Sequence, residues 1–276
     1  MTASGGDRTP FRVAVEDRLL DAADRLKRLT PSGLAERLQE RLAMAENHRM
    51  LAEARARAAS EPSCFEPLVT IRIPTYNRGH LLAERALASA IRQTYERLEI
   101  LVVGDACDDA TAEAALSTGD PRVRFVNLRE RGIYPAKPRD RWKVAGELPV
   151  NTAIALAQGT WIAPCDDDDS FTDDHVEVLL RTATSQDVEW IYSRARREVS
   201  PGVWRDVGGP PFRSGRIVHS TVLYRSYLSF LRYSPSCWRM GEPADWNLWR
   251  RMRAVGVRMG FADHVTCLHY AEERHR

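Results

Sequence analysis

Four consecutive carboxylates, Asp166, Asp167, Asp168 and Asp169, follow directly on the apolar run Trp161-Ile-Ala-Pro-Cys165. Such a cluster repels itself strongly unless a cation or solvent screens it. Hard divalent cations take oxygen ligands, and Mg²⁺ is typically held by one or two carboxylates together with substrate phosphates. The same residues also suit a solvated turn that caps a helix, because Asp favours caps and first turns. The cluster alone does not choose between these readings. Other chemistry-bearing residues sit at comparable places: Asn77 and Arg78 after one apolar run, Asp105 after another, and Asp245 ahead of the tryptophan-rich Trp246-Asn-Leu-Trp249. A basic stretch, Arg129, Arg131, Lys137, Arg139, Arg141 and Lys143, has the charge to clamp an anionic ligand, or simply to remain solvated. His175 and His219 belong to no pattern.

These residues need elements to position them. Val69–Ile73, Leu98–Val103, Val123–Val126 and 160–165 read as strands, alternating with helices near 81–94, 109–116 and 149–158. The stretch 129–147 reads as irregular. Strand–helix alternation implies right-handed crossovers and a mainly parallel sheet, and ligands of such sheets bind beyond the carboxyl ends of the strands. Asn77, Arg78, Asp105 and the Asp cluster all follow strand ends, so the topology gathers them on one edge. Further on, a helix spans 173–182, and 188–192 and 203–207 form a hairpin about Ser200-Pro-Gly202. A strand within 216–227, an amphipathic helix entered from Gly241, and closing strands at 257–261 and 265–269 complete the chain.

The 276 residues suffice for a substantial core. A net charge of +2, from 40 basic and 38 acidic residues, gives no electrostatic footprint for nucleic acid. Five cysteines without a C-x-x-C pair argue against a disulfide framework or a zinc site and fit a reducing compartment. No run is long and apolar enough to span a bilayer, and the amino terminus lacks a basic-then-apolar signal. The expectation is a cytoplasmic protein, with peripheral membrane attachment open. Residues 1–64 divide off as a helical extension and linker, broken at Thr30-Pro-Ser-Gly33, from a domain over 65–276. The extension has three conceivable roles: packing on the main domain, homodimerisation, or lying on a membrane. Packing is the favoured one, because Asp and Glu are mixed evenly with Arg along it, which argues against a basic lipid-binding face.

In order, Ile73-Pro-Thr-Tyr-Asn-Arg78, Val102-Val-Gly-Asp105, Gly159 through Asp169, and Asp245-Trp-Asn-Leu-Trp249 resemble the family 2 glycosyltransferases of GT-A fold, over roughly residues 68–270. The resemblance implies a Rossmann-like, mainly parallel α/β sheet and transfer of a sugar from a nucleotide-diphosphate sugar to an acceptor hydroxyl. It implies a Mn or Mg cation at a D-x-D motif, here Asp166 and Asp168, with Asp168 the direct ligand and His269 a further one. Pro74, Thr75, Tyr76, Arg78, Asp105, Asn151, Asp166 and Asp167 would contact the nucleotide sugar. Asp245 would be the general base of an inverting reaction, unless it merely caps its helix. Carbohydrate, lipid-linked and small-molecule acceptors remain open. The chain departs from the family pattern at Gly104, Val150 and Ala244, where an acid, an Arg and an acid are usual. A nucleotidyltransferase and an inactive nucleotide-sugar-binding module are the competing classes.

Overall fold

The structure, a computed structural model, describes residues 22–61 and 65–271. After helical turns over 22–27, the chain forms α1 (Pro31–Leu42) and α2 (Met44–Ser60). Thr30 caps α1 by accepting from the Gly33 amide, with Pro31 at the first helical position, where its missing N–H costs nothing. The break expected at 30–33 is therefore a helix start. A second break falls at Ala43.

Four strands, β1 (Val69–Thr75), β2 (Leu98–Gly104), β3 (Val123–Asn127) and β4 (Trp161–Pro164), run parallel in the spatial order β3-β2-β1-β4. Every residue of β2 and β4 is buried, as expected of a parallel sheet covered on both faces. Three covering helices connect these strands. They are α3 (Gly79–Leu82, a π segment at Ala83–Leu87, then Ala88–Ile91), α4 (Thr111–Leu116) and, after α5 (Pro138–Val144), α6 (Glu147–Leu156). Gly159 opens β4 so close to β1 that a Cβ would sit 2.6 Å from the Thr70 amide nitrogen. Only glycine fits this approach.

The remaining strands extend the sheet in mixed orientation. They are β5 (Asp169–Phe171), β6 (Trp190–Ser200), β7 (Val203–Val207), β8 (Val222–Arg225) and β9 (Met259–His269), with α7 (His175–Ser185) and α8 (Ala244–Val255) packed on them. The order continues β4-β8-β6-β9-β5, and β7 forms the expected hairpin with β6. Three readings change. The two closing strands are one continuous β9, and part of the stretch read as irregular is α5, begun by Pro138. The Asp cluster also turns into a short strand, β5, before its helix. The expected fold class is otherwise what the chain adopts: a mainly parallel sheet flanked by helices.

The amino-terminal helices pack on the α/β body through their charged residues. Glu36 accepts from Ser236 and Arg239, Glu40 from Asn247 and Arg250, and Asp24 pairs with Arg139 and Lys143. Arg28 donates to Glu242 at 3.0 Å, and Arg55 clamps Glu189. Backbones also meet closely: Gly241, at φ +73°, would place a Cβ 2.2 Å from the Asp24 carbonyl oxygen.

Candidate functional site

β1 delivers Pro74 and Thr75 to the carboxyl edge of the sheet, and β4 delivers the Asp cluster beside them. The four carboxylates do not converge on one partner: His219 holds Asp166, Thr75 and Arg78 hold Asp167, Arg78 also holds Asp168, and His269 holds Asp169. Asp166 is bonded to His219 Nδ1 at 2.7 Å. Asp167 accepts from Thr75 Oγ1 at 2.8 Å and from Arg78 at 3.2 Å, and Asp168 accepts from Arg78 at 3.0 Å. Asp169 meets His269 Nδ1 at 2.8 Å, and its other oxygen is buried with no partner. Arg85, in the π segment of α3, donates to the Asp168 carbonyl at 3.1 Å.

Charge crowding leaves a signature. Burial, reinforced by Asp166, Asp167 and Asp169, pushes the Asp168 carboxyl up to about 7, against the opposing pull of Arg78. Burial also disfavours charge on Asp166, but His219 and Arg72 outweigh it and bring that group down to about 2. Asp168 has Arg78 as its side-chain partner against three neighbouring carboxylates, and it keeps partial access to solvent. Among the described residues no three His, Cys, Asp or Glu side chains converge into a ligand cage. The donor set still fits a hard cation bound by a single carboxylate, with the remaining ligands supplied by phosphate and water. His269 has both ring nitrogens engaged, by Asp169 and by Arg197 at 3.1 Å.

A cavity of about 820 Å³ opens beside this cluster, lined by Pro74, Asp166, His219, Tyr233, Asp245, Trp246 and His269. Asp245 sits in the first turn of α8, behind Pro243, and takes the Trp246 amide at 2.6 Å. It is thus inside the helix and not its N-cap. Burial raises its proton affinity above the ordinary carboxylate range. Asp166 adds to that, while His219 and the Trp246 amide pull it back.

The other expected contacts lie in two places. Asp105 is buried and fully used: it accepts from the Gly132 amide at 2.9 Å and from Tyr134 Oη at 2.6 Å. Arg131 lies over the Tyr76 ring at 3.5 Å, so residues 131–134 close onto the edge where Asp105 and Tyr76 stand. Asn151 is engaged at both ends of its amide, donating to the Tyr233 carbonyl at 2.9 Å and to Glu147, and accepting from the Tyr233 amide at 3.0 Å.

Sequence reasoning missed a buried network beneath the cluster. The fully buried Arg72 on β1 bonds His219 Nε2 at 2.7 Å and Tyr233 Oη at 2.6 Å, so His219 bridges a buried cation to Asp166. One signal was available: an arginine in the middle of Val69-Thr-Ile-Arg-Ile73, a strand otherwise destined for the core. Asp24, Arg25 and Arg28 of the extension also reach the cavity, and no pattern in the sequence points to them.

A sequence model of glycosyl transferase family 2 matches residues 70–141 and 142–238. The chain belongs to glycosyl transferase family 2. Chondroitin synthase of Escherichia coli is 34% identical over 120 residues, 41% of this chain and 15% of that protein. The chain spans less than half the length of the curated relatives it matches. Two solved structures share the fold of this family 2 chain. S. aureus TarS 1-349 in complex with UDP superposes with a TM-score of 0.57 at 16% identity, over 74% of this chain and 60% of that one. The mannosyltransferase PcManGT of Pyrobaculum calidifontis, in complex with GDP-Man and Mn²⁺, has a TM-score of 0.56 at 16% identity, over 86% and 68%. The family match ends at Trp238, so the helix carrying Asp245 and the amino-terminal helices both lie outside it.

Proposed function

We propose that this chain transfers a sugar from a nucleotide-diphosphate sugar to an acceptor hydroxyl with inversion, and that Asp245 is the general base. The observation that carries the reading is that Asp245 and Asp166 line one cavity, with the proton affinity of Asp245 raised. A carboxylate of raised affinity is better matched to taking a proton that becomes acidic as the glycosidic bond forms. UDP in the TarS complex and GDP-Man with Mn²⁺ in PcManGT support a nucleotide donor and a divalent cation, Mn or Mg.

In this reading Pro74, Thr75, Tyr76, Arg78 and Asp105 form the nucleotide side of the site, and Asp166, Asp167 and Asn151 its sugar side. Asp168 is the carboxylate that would hold the cation. His269 joins it only by giving up Arg197. When bound, the cation supplies electrostatic stabilisation to the departing diphosphate. The chain's own contribution is positional: Thr75 and Arg78 fix Asp167, and Arg72 through His219 fixes Asp166. The 131–134 segment must yield Asp105 and Tyr76 to the nucleotide. Acceptors fall among carbohydrates, lipid-linked sugars and small molecules, and no nucleic acid is involved. Free thiols at Cys107, Cys165, Cys237 and Cys267 suit a reducing, cytoplasmic setting. No helix among the described residues is long and apolar enough to cross a membrane.

The test is a titration with UDP, GDP and dTDP, each with and without Mn²⁺, followed by melting temperature. A cation-dependent rise with at least one nucleotide is expected. No rise with any of them would remove the donor site from this cavity.

A further inference from the structure

Residues 22–42 are turned the opposite way from an ordinary surface helix. Their only carboxylates, Asp24, Glu36 and Glu40, all face the α/β body and are paired there. The large apolar side chains face out instead: Leu26 is 63% exposed, Leu29 65%, Leu34 50%, Leu38 57% and Leu42 73%. Helical geometry puts Leu34, Leu38, Arg41 and Leu42 together on the side of α1 opposite Gly33, Glu36 and Glu40. Arg25, Arg37 and Arg41 are also exposed, and none pairs with a carboxylate among the described residues. The linear sequence mixes acids with arginines, and the fold separates them. Among the described residues, one face is left with leucine and arginine and no negative charge. The next helix, α2, shows the ordinary arrangement, with Arg49 paired to Glu46 and Glu53 on its exposed side.

We propose that this face of residues 25–42 docks on an anionic membrane surface, with the leucines entering the headgroup boundary and the arginines meeting lipid phosphates. Interfacial helices bind in this way, through apolar area plus attraction to anionic lipid. Charge complementarity favours this occupant over a second copy, because a two-fold contact would set each patch against itself, arginine facing arginine. Asp24, Arg25 and Arg28 also line the cavity. On the transferase reading proposed above, docking therefore holds the segment that lines the cavity at the lipid surface, near lipid-linked acceptors.

The experiment is cosedimentation of the full chain with vesicles of phosphatidylcholine alone, or with about one-third phosphatidylglycerol. It needs no turnover, so its outcome is independent of the proposed activity. Wild type should sediment with the anionic vesicles only and be released by salt. The doubles Leu34→Gln/Leu38→Gln and Arg37→Glu/Arg41→Glu should each lower partitioning at least roughly tenfold without lowering the melting temperature. Wild type left in the supernatant with both vesicle types would overturn the proposal, as would binding that the leucine double does not weaken. A leucine double that turns a dimer into a monomer without lipid would assign the face to a second copy. One that melts markedly lower would assign it to another part of the chain.

Discussion

Glu242 offers a sharp perturbation, because it joins the amino-terminal helices to the turn that carries Asp245 three residues later. It is 3% exposed and takes four donors. One oxygen accepts from Arg28 at 3.0 Å and Arg250 Nε at 3.1 Å, and the other from Asn247 at 2.8 Å and Arg250 Nη2 at 2.9 Å. Glu242→Gln keeps the shape but turns one oxygen into an N–H₂ facing donors. Breaking a fully buried pair costs about 3–5 kcal/mol, but the side chains of Arg28 and Arg250 are 44% and 33% exposed and regain water. A discounted cost of about 2–3 kcal/mol follows, or roughly 4–10 °C in melting temperature for a chain of this size. Turnover should fall with the affinity for donor nucleotide unchanged, because the change displaces Asp245 and leaves the Thr75–Asp167 side intact. Urea denaturation and initial rates measure the two effects. Glu46→Gln, on an exposed ion pair of α2, is the control and should change neither. A Glu242→Gln variant as stable and as active as wild type would refute the clamp.

Three further outcomes are expected. His175 is buried, stacked on Phe171 at 3.7 Å, with Nδ1 on Thr266 Oγ1 at 2.8 Å, and burial holds it down to about 3. Between pH 6.5 and 3 the unfolded chain takes a proton there that the folded chain refuses, so stability falls as pH falls. The loss from pH 7 to pH 5 is about 2 kcal/mol, and denaturation of His175→Phe should show that much less pH dependence. Asp168→Ala should abolish the Mn²⁺-dependent part of nucleotide binding in calorimetry, and unchanged cation dependence would move the ligand to a neighbouring carboxylate. Gly241→Ala drives a methyl into the Asp24 carbonyl at a left-handed position. It should expose the amino-terminal helices to limited proteolysis while the β1–β4 sheet stays protected.

The parallel half of the fold was legible because its strands are continuous apolar runs ending in polar residues, and that pattern alone gathers Arg78, Asp105 and Asp166–Asp169 on one edge. The second half was legible only in pieces. β9 reads as two strands because Ala262-Asp-His264 interrupts its apolar pattern, yet pairing with β6 carries the chain through with shifts of register. α5 was hidden because Arg139, Asp140, Arg141 and Lys143 look like a solvated loop, whereas Asp140 and Lys143 are buried against each other and Asp24. The role of His219 has no local signal, since it comes from Arg72, distant in sequence and buried under the same edge. The sorting of charges on α1 likewise depends on which side the body supplies arginines, and a helix read by itself does not contain that information.

Asp245 tests the account most directly. Donor binding and turnover should be measured side by side for wild type and Asp245→Asn, with the nucleotide sugar that wild type binds. The side-chain volume is kept and only the proton-accepting charge is lost, so binding should stay within about twofold while transfer falls on the order of 10²–10⁴-fold. Transfer that survives the substitution, or binding that vanishes with it, would contradict a general base at Asp245.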